Sequence, residues 1–263
     1  MNILVCVKQV PAVSKVKIDR TTGNLIREGV PTIINPADQA ALEAALEIKE
    51  TMGADITVIA MGSPSAETGL KKCIAYGADR AFLASDRAFA GADTLATSFA
   101  LFKLANKVGK KFDLILTGNQ TLDGDTGQIG PQLAERLNVP QITFVNEFKV
   151  ENNEVTAVRT SGNETYEVKC ALPVLLTITR QAKPLRKGAP NEEELMNKAE
   201  VTVYSADDIG ADKDKIGKNG SPTIVENTFP PDEPEKGVII DEKTAAASVK
   251  KLMEILNEKN LIK

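Results

Sequence analysis

Two textures of hydrophobic and polar positions divide the chain. Up to about residue 145, short unbroken apolar runs alternate with stretches of helical period. Ile3–Val7, Ile56–Met61, Arg80–Ala84, Phe112–Thr117 and Gln141–Val145 read as strands. The first of these does not alternate, which predicts a strand covered on both faces, as in a parallel sheet. Asn35-Pro36 opens a helix, with Asn as N-cap, Pro in the first helical position and Asp38 in the first turn. Ala41, Ala45, Ile48 and Met52 mark one face of it, and Gly53 stops it. Ser65 is expected to cap a helix reaching Tyr76, with Gly77 at its C-terminus, and Asp93 one reaching Val108, ended by Gly109. A strand–helix unit roughly every 25 to 30 residues is the doubly wound α/β signature. Residues 14 to 34 predict a hairpin-like excursion, with its turn at Thr22-Gly23-Asn24.

After Asn146 the pattern changes. Phe148–Val150, Val155–Thr160 and Tyr166–Cys170 alternate, with turns at Asn152-Asn153 and Gly162-Asn163, and predict antiparallel strands added at an edge. Val174–Ile178 returns to a buried run, and Val201–Tyr204 is one more strand. Residues 205 to 240 are rich in Asp, Lys, Gly and Pro, and are expected to lack a core of their own and to need a partner surface. Lys243–Leu261 reads as a closing helix. The predicted organisation is an α/β nucleotide-binding domain over 1–184. A docking loop, an extended partner-binding arm and a C-terminal helix follow over 185–263.

One stretch concentrates the chemistry. The apolar run Leu114-Ile115-Leu116 meets four glycines, Gly118, Gly124, Gly127 and Gly130, before Ile129, Leu133 and Leu137 set a helical period. Asp125 or Thr126 is expected to cap that helix. The order strand, glycine-rich loop, helix turns free N–H groups toward the edge of the sheet, where a phosphate is the usual occupant. The spacing is neither G-x-G-x-x-G nor a P-loop, and a tight turn without ligand is the bland alternative. Asp123 and Asp125 repel phosphate. They suit ribose hydroxyls, or fold back on their own loop. In an open α/β sheet, ligands sit beyond the carboxyl ends of the strands. Cys6–Lys8, Met61-Gly62, Gly118–Thr126 and the helix start at Asn35 all fall there.

Composition narrows the function without choosing it. The chain has 263 residues, 42% apolar and 26% charged, an ordinary globular balance. A net charge of −4 leaves no footprint for nucleic acid, and with no Trp and 4% aromatics there is little to stack bases on. There is no histidine, so the commonest general base and metal ligand are both missing. Cys6, Cys73 and Cys170 are too scattered for a zinc pair; they are expected in the core, in a reducing cytoplasm. No metal site and no membrane span are expected.

Taken together, certain segments resemble the beta subunit of electron transfer flavoproteins. They are Val5-Cys6-Val7-Lys8-Gln9-Val10, Asn35-Pro36, Gly77-Ala78-Asp79-Arg80, Gly118-Asn119-Gln120, Asp123-Gly124-Asp125-Thr126-Gly127-Gln128 and Leu172-Pro173-Val174. The resemblance covers most of residues 1 to 180 and continues less tightly beyond. It implies an adenine-nucleotide-binding α/β domain, an alpha-subunit partner holding one FAD, and a nucleotide on the beta subunit. In mitochondrial-type members that nucleotide is a structural AMP. In bifurcating members of anaerobes it is a second FAD that takes hydride from NADH. One electron then goes to the alpha-subunit FAD and a dehydrogenase, the other to ferredoxin or flavodoxin.

Lys8-Gln9-Val10-Pro11, Gly124-Asp125-Thr126 and Gly91–Ser98 are similar to the bifurcating branch. The resemblance implies a cofactor site made by Cys6, Val7, Lys8, Asn35, Asp38, Met61, Gly62, Gly118, Gln120 and the run Asp123, Gly124, Asp125, Thr126, Gly127, Gln128. Thr94 and Thr97 would offer hydroxyls to an isoalloxazine, or serve simply as helix-start residues. Two departures stand out. Gly162-Asn163 lie where the family carries acidic residues. The family's docking loop pairs a small hydrophobic anchor with lysines, whereas here Gly188-Ala189-Pro190 precedes Glu192-Glu193-Glu194-Leu195-Met196. Ala189, Pro190, Leu195 and Met196 are the expected docking residues, for an acyl-CoA dehydrogenase-like or a hydroxyacid dehydrogenase partner. A solvated acidic helix start is the plain alternative. A stand-alone universal-stress-type nucleotide binder is the competing class, but its glycine pattern after the fourth strand fails at Thr121.

Overall fold

The computed structural model describes residues 1–12, 31–226 and 237–262. The chain divides into two units, Met1–Asn227 and Thr228–Lys263.

The first unit is built on a nine-stranded sheet. Its strands are β1 (Asn2–Cys6), β4 (Asp55–Met61), β5 (Arg80–Ala84), β6 (Leu114–Gly118), β7 (Gln141–Glu151), β8 (Glu154–Ser161), β9 (Glu164–Ala171), β10 (Val174–Ile178) and β11 (Val201–Tyr204). They lie in the order β11-β5-β4-β1-β6-β10-β7-β8-β9. All pairings from β11 through β7 are parallel; β8 and β9 add antiparallel at one edge. The doubly wound sheet with an antiparallel addition is therefore the observed fold. Two short strands, β2 (Gln9–Pro11) and β3 (Thr32–Ile34), pair antiparallel beside it. β3 falls within the excursion predicted over 14–34, whose turn at 22–24 lies outside the described residues.

Successive side chains along the central strands feed opposite cores, because a strand turns alternate residues to opposite faces. On β1, Ile3 and Val5 join one cluster while Leu4 and Cys6 join the other; β6 and β10 divide the same way. Helices α1 (Pro36–Met52) and α2 (Ala66–Tyr76) supply the first core. Helices α3 (Thr94–Val108) and α4 (Ile129–Leu137) supply the second. Covering on both faces explains the apolar runs. α1 meets the sheet through Ala37, Ala40, Ala41, Ala44 and Ala45, all buried, which lets its backbone lie close.

Several expectations need correction. The strands expected at 141–145 and 148–150 are one strand, β7. Asn146 and Glu147 break the apolar pattern, but pairing continues through an irregularity between Val145 and Glu147, next to Phe144 at φ 56°. The segment after β11 does pack on its own chain: Ala206, Ile209, Ala211 and Ile216 are buried in the second core. Its polar composition hid these four small or aliphatic residues. Cys6 and Cys73 are buried as expected, whereas Cys170 is only half-buried on the edge strand β9. A seven-residue helix α5 (Glu192–Lys198) starts at the acidic cluster and packs beside α2.

The second unit holds α6 (Ala245–Glu258), where the Thr244 hydroxyl oxygen accepts from the Ala247 N–H at 3.2 Å. Among the described residues no helix is long and apolar enough to cross a membrane.

Candidate functional site

The order of strands reverses at β1. From it the chain winds out through β4 to β5, then returns to place β6 on its other side. The crevice beyond the carboxyl ends of β1 and β6 is thus the switch point at which such folds bind ligands.

The first turn of α1 ties its two walls together. Asn35 occupies the N-cap position, yet its side chain does not cap the helix. Instead Nδ2 donates to the Gln120 carbonyl at 2.9 Å, and Oδ1 accepts from the Leu122 N–H at 3.2 Å. Its own N–H donates to the Lys8 carbonyl at 2.8 Å. Asp38, one turn on, accepts from the Lys8 N–H at 2.8 Å and from the Gly118 N–H at 3.0 Å. Both side chains are buried, Asn35 at 1% and Asp38 at 5% exposure. The buried polar atoms are therefore satisfied by backbone groups of the two walls, as burial demands.

Gly118 is required by this packing. A Cβ there would lie 2.2 Å from Asp38 Oδ1 and 2.8 Å from Ala37 Cβ. Gly130 plays the same part for α4: a Cβ would meet Thr177 Cγ2 at 2.4 Å. Gly124, by contrast, stands in open space, with Thr121 Oγ1 the nearest atom at 3.7 Å.

The loop from Gly118 to Gln128 is longer than expected. Neither Asp125 nor Thr126 caps α4, which begins at Ile129 with Gln128 in the N-cap position and no side-chain cap. Asp125 takes φ 51°, its N–H donating to the Thr121 carbonyl at 3.0 Å, and Gly127 takes φ 64°. The chain is still turning there, so the helix cannot have started. Residues 122–126 and Gln128 are exposed. Asp123 folds back, accepting from the Gly124 N–H at 2.8 Å. It also pairs with the Lys8 ammonium at 2.6 Å, spanning the crevice mouth. Burial acts to raise the Asp123 carboxyl, but the Lys8 ammonium, the Thr121 hydroxyl and the Gly124 N–H together hold it below the usual carboxylate range. Burial pushes Asp38 the other way, up to about 7, against the hydrogen bonds from Asn35, Lys8 and Gly118.

Of the sequence-predicted residues, direct contacts join Lys8, Asn35, Asp38, Gly118, Gln120, Asp123 and Gly124. Cys6 and Val7 are buried at the end of β1, with the Val7 N–H on the Ile59 carbonyl of β4. Met61 and Gly62 end β4, half-buried. Thr94 Oγ1 donates to Gln128 Oε1 at 2.6 Å, linking the start of α3 to the end of the loop. Thr97 lies half-buried one turn along α3. Asp93 does cap α3, accepting from the Ala96 N–H at 3.1 Å. Its second oxygen accepts from the Thr223 hydroxyl at 2.8 Å, and its own N–H donates to the Ser221 hydroxyl at 2.8 Å. Sequence reasoning missed these partners, since nothing local marks contacts some 130 residues apart. The docking candidates lie elsewhere: Ala189 and Pro190 are exposed, and Leu195 and Met196 are half-buried on α5. Among the described residues no cluster of three His, Cys, Asp or Glu is arranged to hold a metal.

In chemical terms, the crevice brings together an exposed loop, the Lys8–Asp123 ion pair and the buried Asp38 carboxyl between pinned walls. Comparison with known proteins gives a consistent picture. The electron transfer flavoprotein domain model matches residues 22–209. The electron transfer flavoprotein subunit beta of Thermoanaerobacterium thermosaccharolyticum is 45% identical over the full length of both chains. The subunit CarD of a caffeyl-CoA reductase-Etf complex in Acetobacterium woodii is 44% identical, again over both full lengths. Protein FixA of Bradyrhizobium diazoefficiens is 43% identical over 92% of this chain and 86% of its own.

Proposed function

This chain belongs to the electron transfer flavoprotein family as a beta subunit, and we propose that it is the nucleotide-holding half of a bifurcating member. Electron transport, a flavin or nucleotide and an alpha-subunit partner come with the family. The proposal adds that the crevice nucleotide is FAD rather than AMP, with NADH as hydride donor. Ferredoxin or flavodoxin and a flavin-dependent dehydrogenase are the proposed acceptors, and the cytoplasm the proposed location.

The observation that carries the reading is the crevice at the β1–β6 reversal. Its loop is pinned from beneath by Asn35 and Asp38 and leaves residues 122–126 exposed above. The donor set fits an adenine nucleotide. Lys8, paired here with Asp123, is the cation for which a phosphate would compete, and Gly124 leaves room for close approach. Gln128, Thr94 and Asp123 offer groups for hydroxyls and ring edges. A bound flavin would supply the redox chemistry, which is the cofactor's own. The chain's residues bind and orient it, so the lack of histidine is no obstacle. The name of the Acetobacterium relative, a subunit of a caffeyl-CoA reductase-Etf complex, favours a dehydrogenase-type partner here too.

The test is a nucleotide count. The chain is co-purified with its alpha subunit, and FAD and AMP are released and quantified per heterodimer. Two FAD and no AMP are expected. Gly124→Asp, whose Cβ would meet nothing nearer than Thr121 Oγ1 at 3.7 Å, should then lose one FAD, while the nucleotide-stripped variant and parent melt alike. One FAD and one AMP would make this a simple electron carrier's subunit, and neither nucleotide on this chain would reject the crevice as a site.

A further inference from the structure

The two oxygens of Asp38 are divided between the two lips of the crevice. One accepts from the Lys8 N–H just beyond β1, the other from the Gly118 N–H at the end of β6. Each lip therefore depends on its own oxygen being an acceptor. Gly118 packs so closely against this carboxylate that no side chain fits between. We propose that Asp38 is a positioning residue whose carboxylate fixes the separation of the β1 and β6 lips, and thereby the shape of the nucleotide site, without itself touching the nucleotide. The proposal rests on the reading of the crevice as a nucleotide site, and gives Asp38 a role distinct from lining it.

The ionised carboxylate does this best, with two full acceptors. A carboxylic acid or a carboxamide presents a donor on one side, and that donor would face an N–H. The groups around Asp38 do not compete for the role. On β1 and beyond it are the Cys6 thiol and the Lys8 ammonium; on α2 is the Cys73 thiol; on its own turn is the neutral Asn35. Burial pushes both thiols up, Cys73 to about 12, so they stay protonated. The Lys8 ammonium is engaged by Asp123. Asp38, raised to about 7 by burial, is the group here that changes charge near neutrality.

Both nucleotides are anions, which makes the sign of the effect diagnostic. If Asp38 acted only as a nearby negative charge, removing the charge would tighten nucleotide binding. If it positions the lips, removing the charge loosens binding. FAD and AMP are titrated separately into nucleotide-stripped heterodimer at pH 8, 7 and 6, with the parent and Asp38→Asn compared and melting recorded for each. The parent's affinity for the nucleotide it carries is expected to fall about tenfold from pH 8 to 6, the scale of one charge-assisted hydrogen bond. Asp38→Asn is expected to bind about tenfold more weakly at pH 8, with a flat pH profile. Tighter binding by the variant, or a parent affinity that is flat or rises toward pH 6, overturns the role. Should the variant fail to fold, the parent's FAD profile decides, because the AMP phosphate itself changes charge near pH 6 and the FAD pyrophosphate does not. A parent that binds neither nucleotide at any pH overturns the nucleotide reading and this role with it, whereas binding kept intact in Asp38→Asn overturns the role only.

Discussion

Gly118→Ala puts the crevice architecture under the most direct stress. The added methyl would sit 2.2 Å from Asp38 Oδ1, 2.8 Å from Ala37 Cβ and 2.9 Å from the Asp38 nitrogen. Two of these three atoms are helix backbone or rooted on it, so neither a rotamer change nor a flexible tip can absorb the clash. Overpacking at such a site costs roughly 1–3 kcal/mol. Displacing the carboxylate also weakens its bonds to the Lys8 and Gly118 amides, each of the charge-assisted kind worth about 1.5–3 kcal/mol. The reduced freedom of the unfolded chain returns only about 0.4–1 kcal/mol. The net is a destabilisation of about 3 kcal/mol, a fall in Tm of roughly 6–12 °C for a unit of this size. Gly124→Ala is the matched control: its Cβ meets nothing nearer than 3.7 Å, so its Tm should stay within about 2 °C of the parent. Calorimetry or urea unfolding of both variants beside the parent provides the measurement. Equal melting of Gly118→Ala and the parent would mean that α1 does not lie against the end of β6 as described, and the crevice walls would have to be rebuilt.

Asn35→Ala removes the partners of the Gln120 carbonyl and the Leu122 N–H. It should cost about 1–3 kcal/mol and raise amide hydrogen exchange across residues 119–124; unchanged exchange there would refute the pin. Arg186→Ala leaves the buried Glu43 carboxylate without a guanidinium that lies 2.9 Å away and also reaches Glu50. Unfolding free energy should drop by about 1–3 kcal/mol, and an unaltered urea midpoint would show that the 183–186 segment is not clamped to α1. Stability should also depend on pH through Asp38. Its carboxyl is raised from 3.8 to about 7 on folding, so between those values the folded state binds more protons. The Asp38 contribution therefore favours folding at the acid end and is lost as pH rises toward 7, with a slope of at most about 1.4 kcal/mol per pH unit. Urea unfolding of the parent and Asp38→Asn from pH 5 to 8 should give curves that diverge with rising pH, the variant becoming the relatively more stable; parallel curves would refute the shift.

What the sequence made legible was whatever local punctuation controls. Arg80–Ala84, Val174–Ile178 and Val201–Tyr204 match strand for strand, because each is an apolar or branched run between turn residues or helix ends. Helices ending at Gly53, Gly77 and Gly109 match because a positive φ there suits glycine. The crevice was legible as a convergence of strand ends and helix starts at a predictable topological place. Its wiring was not. Asn35 has the composition of a cap, but two buried backbone groups of a loop 85 and 87 residues away outcompete the helix for its side chain. Asp125 likewise has the composition of a cap, but the loop bends once more before α4 can begin. The segment after β11 looked coreless because four buried residues among eleven carry little weight in a window average.

Asp38 is where these threads meet, and its placement is costly to the fold. A buried carboxylate is disfavoured unless paired, and here its nearest cation, Lys8, is engaged by Asp123 at the crevice mouth. A leucine at this position would relieve the charge penalty but leave the Lys8 and Gly118 N–H groups without acceptors, and an asparagine would set a donor against one of them. The gain lies in geometry: a single side chain with two equivalent acceptors reaches the ends of two strands that no direct backbone bond joins beyond the sheet. The acid end of the pH range should then give a firmer fold with a looser crevice, and the alkaline end the reverse. Opposed pH dependences of stability and nucleotide affinity in one protein, both removed by Asp38→Asn, are what a residue kept for its site rather than for its fold has to show.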